Sequence, residues 1–259
     1  MINSFLKKIR DVITATSVRG GQVIFEKKKN DFLVKLQNVK KNYGKRQVLK
    51  GVDFLINKGD KIALVGGNGS GKTTLCEIIA NVKTFHEGKI TYSFAEDKLA
   101  YEFSINFQEQ KWPLSLKVGE LVHFFNEIYY QKVLSNFLVK KREFGIDKKF
   151  AMKKVSELSG GELQRFNLFI SLFNNPKLFI GDEITSGLDI VNRIRIIKSI
   201  KREEKMTLLL VTHNWEEIHH LCRRIVFLKN GLIFCEKKVS DFKDYDSFSK
   251  YFSSVVLQQ

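Results

Sequence analysis

The sequence predicts an α/β fold, and three observations predict it. A short β-rich run, KIALV at 61–65, ends directly on a glycine-rich loop, GGNGSGKT at 66–73, and the apolar spacing of LCEIIANV after it is helical. Strand-like runs return late in the chain as KLFIGD from Lys177, MTLLLV from Met206 and RIVFLKNGLIF from Arg224. Between them, from about Trp112 to Lys154, the pattern is helical, as in VGELVHFFNEIYY, with few strand signals.

Taken in order, the first thirty residues stand apart. Ile2, Phe5, Leu6, Ile9, Val12 and Ile13 share one helical face, with Lys7, Lys8 and Arg10 elsewhere, which predicts a basic amphipathic extension over residues 1–30. The run EKKKND then leads into alternating FLVKLQNV and apolar GVDFLI, both strand-like, at the start of a domain spanning 31–236. A helical insert is expected at about 112–165. Asn230-Gly231 marks a hairpin turn. Residues 237–259, with DFKDYDSFSKYF, carry no motif and are expected to form a short closing helix. No internal repeat and no flexible linker interrupts the chain.

Composition narrows the class. With 259 residues, 43% of them hydrophobic and 28% charged, the chain has enough apolar material for a substantial core and enough charge to be soluble. No stretch reaches the roughly eighteen unbroken apolar residues of a spanning helix. The lysines of the first segment interrupt any signal-like apolar run, so a cytoplasmic protein is expected. Cys76, Cys222 and Cys235 are far apart, in neither a zinc spacing nor a disulfide framework. The formal charge is +16, and residues 1–50 hold 13 Lys and Arg against 3 Asp and Glu. Nucleic acid and an anionic membrane surface both fit that sign.

The loop Gly66, Gly67, Asn68, Gly69, Ser70, Gly71, Lys72, Thr73 satisfies GxxxxGK[ST] between a strand and a helix. Glycines allow successive N–H groups to converge on phosphate oxygens at the positive end of a helix. Lys72 would reach the β and γ phosphates of a nucleotide, and Thr73, followed by Thr74, would offer a hydroxyl to Mg²⁺. In LFIGDE, the strand end would deliver Asp182 to the metal and leave Glu183 near a water facing the γ phosphate.

These motifs, with others in order around them, resemble the nucleotide-binding subunit of ATP-binding cassette (ABC) transporters from about Val34 to Phe234. The resemblance implies a P-loop NTPase (RecA-like) core with an N-terminal antiparallel β subdomain and an inserted α-helical subdomain. It implies that Tyr43 stacks on adenine, that Gln108 senses metal and γ phosphate, and that Leu158 to Glu162 form the signature, with Ser159, Gly160, Gly161 and Glu162 contacting nucleotide. IGDEITSGLD at 180–189 then supplies the metal-binding Asp182, the catalytic Glu183 and the D-loop Asp189, and His213 in VTHN is the switch histidine. Three positions depart from the usual pattern: Glu162 replaces glutamine, Ile184 replaces proline, and Arg223 replaces aspartate.

A second glycine-rich helix start at Ser159 is one more phosphate cradle than one nucleotide needs. The resemblance implies that it faces ATP held by another ATPase subunit, identical or related, so that two chains pair head to tail around two ATP with Mg²⁺. The chain most resembles bacterial exporter ATPases, which implies separate transmembrane permease subunits and a place on the inner face of the cell membrane. Phe124, Phe125, Ile128, Tyr129 and Tyr130 are the candidate docking residues, and the N-terminal segment is a candidate contact for an anionic membrane surface. An importer ATPase, or a soluble ABC ATPase on ribosomes or nucleic acid, is the alternative. The second is disfavoured because the chain has one cassette and no coiled-coil or zinc insertion.

Overall fold

The computed structural model describes residues 20–26, 31–96, 99–106 and 112–257, with side-chain detail lacking at 100–101, 128–136 and 257. The amphipathic segment at 2–13, Gln108, and the side chains of Ile128, Tyr129 and Tyr130 lie outside the described residues.

Two sheets form the frame. The first has the order β1-β5-β2-β3, from β1 (Gln22–Phe25), β5 (Glu87–Tyr92), β2 (Phe32–Tyr43) and β3 (Arg46–Asn57). Its central pairings are antiparallel. β1 falls within the span read from sequence as an extension, yet it pairs in parallel with β5, Val23 opposite Ile90. Its four residues and the six of β5 carry too little alternation to stand out as strands in the sequence.

The second sheet has the order β10-β9-β4-β8-β7-β6, from β4 (Lys61–Val65), β6 (Phe103–Asn106), β7 (Leu178–Asp182), β8 (Thr207–Val211), β9 (Arg224–Lys229) and β10 (Leu232–Lys238). All neighbours are parallel except the β9–β10 hairpin. That hairpin turns at Asn230 (φ 50°) and Gly231 (φ 79°), the two left-handed residues a tight turn of this kind requires. β4 and β8 are fully or nearly fully apolar, as strands covered on both faces must be.

Helices complete the layers: α1 (Lys72–Ile79), α2 (Leu99–Glu102), α3 (Val118–Glu143), α4 (Lys148–Met152), α5 (Gly160–Leu172), α6 (Ile190–Lys201), α7 (Trp215–Leu221) and α8 (Tyr245–Leu257). The insert read from the sequence corresponds to α3, α4 and the start of α5. Its core is aromatic: Trp112 donates Nε1–H to Asn167 Oδ1 at 2.7 Å and meets Phe125 edge-on at 5.8 Å. Phe125 is buried, and Phe124 packs partly against the same cluster. Phe125 therefore belongs to the core of the insert, while Phe124 stays partly exposed at its edge. Among the described residues, the exposed apolar side chains nearby are Leu114, Leu138, Val139 and Met152.

Strand order places the chemistry. Leu64 and Asp182 both stand opposite Val211 in their pairings, so the segments after β4, β7 and β8 leave the same carboxyl edge of the sheet. In parallel sheets that edge is where ligands bind.

Candidate nucleotide site

A cavity of about 630 Å³ opens at this edge, lined by Gly66, Gly67, Asn68, Gly69, Lys72, Thr73, Asp182, Glu183 and His213. At Gly66 and Gly71 the loop admits only glycine without strain. A Cβ on Gly66 would stand 2.2 Å from the Leu228 carbonyl oxygen, and Gly71 has φ 105°, a conformation side chains rarely adopt. Gly71 also caps α1 without any side-chain hydrogen bond, so no side chain spends the amides of the first turn. Those amides, aimed along the helix dipole, are what a phosphate requires.

Lys72 Nζ donates to the carbonyls of Gly66 at 2.9 Å and Gly67 at 3.0 Å. Partial burial lowers its pKa, and the nearby Asp182 and Glu183 charges oppose that shift. Thr73 Oγ1 donates to Asp182 Oδ2 at 3.3 Å. Burial, and then the Glu183 charge, raise the Asp182 carboxyl above its usual range, while Thr73 and Lys72 pull it back. A hydroxyl and a carboxylate side by side form a hard-oxygen pair suited to Mg²⁺. The residues thus fit both groups: the loop amides and Lys72 would hold a triphosphate, and Thr73 and Asp182 its Mg²⁺.

Glu183 leaves the line of β7 through a left-handed backbone, φ 49°, anchored by its N–H donating to the Val211 carbonyl at 2.9 Å. Non-glycine residues hold such a conformation at some cost, and they concentrate where a side chain must be aimed. The turn brings Glu183 Oε1 to 3.7 Å from His213 Nδ1. Ile184, in place of the usual proline, is fully buried, its Cγ2 filling the space that a side chain on Gly181 would need. Next to it, Thr185 donates from both N (3.0 Å) and Oγ1 (2.5 Å) to Glu217 Oε1 of α7, which begins just after His213. The acidic turn and the histidine segment are thereby fixed to each other inside the core.

The other predicted residues lie outside this pocket. Ser159 caps α5: its Oγ accepts from Glu162 N at 3.3 Å, and Glu162 Oε2 accepts from Ser159 N at 3.0 Å, a reciprocal capping box. The other Glu162 oxygen binds Lys153 Nζ at 2.7 Å. Lys153 and the Ser159 amide hold the Glu162 carboxyl below the usual range, so the extra charge at this position has a built-in counter-charge. Asp189 caps α6, accepting from Asn192 N at 2.9 Å and Nδ2 at 2.6 Å, and those bonds depress its pKa. Tyr43 ends β2, half exposed, with the ammonium groups of Lys41 and Lys83 each 5.4 Å from its ring centre. Arg223 donates its backbone N–H to Lys61 at the opposite end of β4 from the loop, and nothing in the structure explains its side chain.

Three features were missed by sequence reasoning. Lys153 neutralises Glu162 across nine residues that show no pattern. The Arg46 guanidinium stands 3.1 Å from where a side chain on Gly69 would begin, beside the phosphate loop. Tyr245, Phe248, Ser249, Phe252 and Val256 of α8 form one wall of the cavity. Only the last left a signal, since their spacing is that of one helical face.

Comparison with known proteins places the chain in a family. The family described as "ABC transporter" matches residues 49–186. The chain is 31% identical, over 86% of its length and 99% of the relative's, to a phosphonates import ATP-binding protein of Fusobacterium nucleatum. It is 31% identical, over 77% of its length and 67% of the relative's, to a linearmycin resistance ATP-binding protein of Bacillus subtilis. Among solved structures, an ATP-binding cassette in a dimeric post-hydrolysis state bound to ADP and Pi superposes with a TM-score of 0.69 at 28% identity, covering 80% of this chain and 99% of that one. With a complete phosphate loop, an adjacent acidic pair and these relatives, the chain belongs to the ABC transporter family, as one of its ATP-binding and ATP-hydrolysing subunits.

Proposed function

We propose that two copies of this chain, or this chain and a related one, close head to tail around two ATP and drive transport through separate membrane subunits. One observation carries the reading: the phosphate pocket is built from the loop, the acidic pair and His213 of a single chain, while Ser159 to Glu162 are absent from its lining. The signature helix start is left to serve a pocket other than its own. A dimeric cassette among the solved relatives supports the pairing.

In this reading the residues divide the work. Bound Mg-ATP supplies the phosphoanhydride bond that is cleaved. Lys72 and the loop amides hold the phosphates, Thr73 and Asp182 hold the metal side, and Glu183 accepts the proton of the attacking water. His213 and the second copy's Ser159 helix start close on the γ-phosphate end, and Gln108 and Tyr43 keep the sensing and adenine-stacking roles expected from the sequence. Loss of the γ phosphate removes the link between copies.

Export remains the reading drawn from the exporter-like segments of the sequence. Import is the second reading, favoured by the phosphonate import relative that matches almost end to end. Co-purifying the membrane partner and assaying inverted vesicles separates them: ATP-dependent uptake of cargo into inverted vesicles means export, and ATP-dependent release means import. Recovery of the chain on ribosomes, with no membrane partner, would overturn both.

The Glu162–Lys153 pair yields a prediction of its own. Lys153→Met leaves an uncompensated carboxylate where the second copy's γ phosphate must approach. The ATP concentration needed for dimerisation is expected to rise up to about fivefold, from the ~1 kcal/mol of an exposed charge interaction. Adding Glu162→Gln should restore it. Sedimentation at varied ATP checks this, and unchanged dimerisation in the single variant counts against the signature's placement.

A further inference from the structure

The C-terminal helix carries the feature the ATPase reading leaves unused. Tyr245, Phe248, Ser249, Phe252 and Val256 recur at i, i+3, i+4, i+7 and i+11, so α8 turns one stripe toward the phosphate cavity. Its inner side is anchored: the Phe248 ring stacks on Trp215 at 5.1 Å, at the start of α7. Its outer side is open, with Tyr245 55% exposed, while Val256 reaches the loop, 3.5 Å from where a side chain on Gly67 would begin. The stripe offers two hydroxyls and no charge. Phosphates need amides and cations, which the loop supplies, so this wall suits an apolar neighbour.

A matching apolar group sits elsewhere on the chain. Ile190 and Val191 are 73% and 67% exposed, and with Ile194 they cover one side of the first turns of α6. They follow Asp189 directly, and this segment is packed to the signature. A Cβ on Gly161 would lie 3.6 Å from Leu188 Cδ2, and Gln164 Nε2 donates to the Ile184 carbonyl at 3.0 Å. These contacts tie the Ile190 face to the signature helix start, so the two move as one unit, and α8 walls the cavity that a second copy's signature would enter.

We infer that Ile190, Val191 and Ile194 of one copy pack on the Tyr245–Val256 stripe of a second copy, giving each nucleotide site an apolar flank. The inference rests on the head-to-tail pairing proposed above and names a contact that pairing alone does not specify. The second copy is the occupant the geometry favours, because the α6 face moves with the signature. Burying these side chains on closure adds a hydrophobic contribution that phosphate contacts do not supply.

The full-length chain carrying Glu183→Gln, which slows hydrolysis, is the background for the test. Val191→Asp is expected to leave ATP binding at low protein concentration unchanged within twofold and to weaken MgATP-driven dimerisation at least tenfold by sedimentation. In a second arm, Val191→Cys with Tyr245→Cys in one chain should give an intermolecular disulfide under mild oxidation only with MgATP. Each single-cysteine variant serves as control for Cys76, Cys222 and Cys235. A dimer of normal affinity with Val191→Asp, or a weakened dimer with no disulfide in the pair, overturns the α8 contact and leaves the pairing intact. No MgATP-driven dimer in the parent overturns the pairing itself.

Discussion

Replacing Glu183 with glutamine is expected to slow ATP hydrolysis by about 10²–10⁴-fold, the range a positioned general base contributes, while ATP binding stays within about twofold. Glutamine keeps the size of the side chain and the backbone bond to Val211 that fixes the left-handed turn, so the aim of the side chain is retained and only its basicity is lost. Glu183 raises the pKa of Asp182, so its neutral replacement makes the metal-side carboxylate easier to ionise. The variant should accumulate a MgATP dimer, because closure no longer leads to cleavage. Single-turnover hydrolysis and light scattering in saturating MgATP check the two halves. Hydrolysis within threefold of wild type would move the base to another residue.

Replacing Lys72 with alanine is expected to weaken ATP binding about 10- to 100-fold and to abolish measurable turnover. The loss follows from charge-assisted hydrogen bonds to phosphate, each about 1.5–3 kcal/mol. The lysine is already partly desolvated and rests on the Gly66 and Gly67 carbonyls, so it is held over the loop before any phosphate arrives. Without it, Asp182 and Glu183 face the incoming phosphates with no lysine charge between them, and their repulsion adds to the loss. Lys72→Arg should not restore affinity, since a planar guanidinium does not fit a position built for a compact ammonium. Titration calorimetry at low protein concentration measures binding apart from dimerisation. Wild-type affinity in the alanine variant would remove Lys72 from the phosphate site.

The contrast between these residues and those of α8 shows what was legible. Gly66 to Thr73 are consecutive, and their function is carried by consecutive backbone amides between a strand and a helix, so the eight letters contain the geometry. The second glycine-rich helix start at Ser159 is readable for the same reason, being complete within one helical turn. Asp182 and His213 needed one further step, because their adjacency depends on β7 and β8 pairing in parallel register, which apolar runs suggest without fixing. The departures became intelligible only in space: Ile184 fills the core beside Gly181, and Glu162 is neutralised by Lys153 from the end of the preceding helical segment.

By itself, then, the sequence determined an α/β domain with a phosphate loop, an acidic strand end, a helical insert and a second glycine-rich helix start. Each is a local pattern, set by side-chain period or by backbone conformations that only certain residues permit. The tertiary structure decided what those parts share: that β1 joins the first sheet, that Phe125 is core, that Glu217 locks the acidic turn to the histidine segment, and that the last helix walls the nucleotide pocket. Such contacts join residues up to about two hundred positions apart, and the free energy that selects them comes from burial and pairing in the packed chain, which no local stretch encodes.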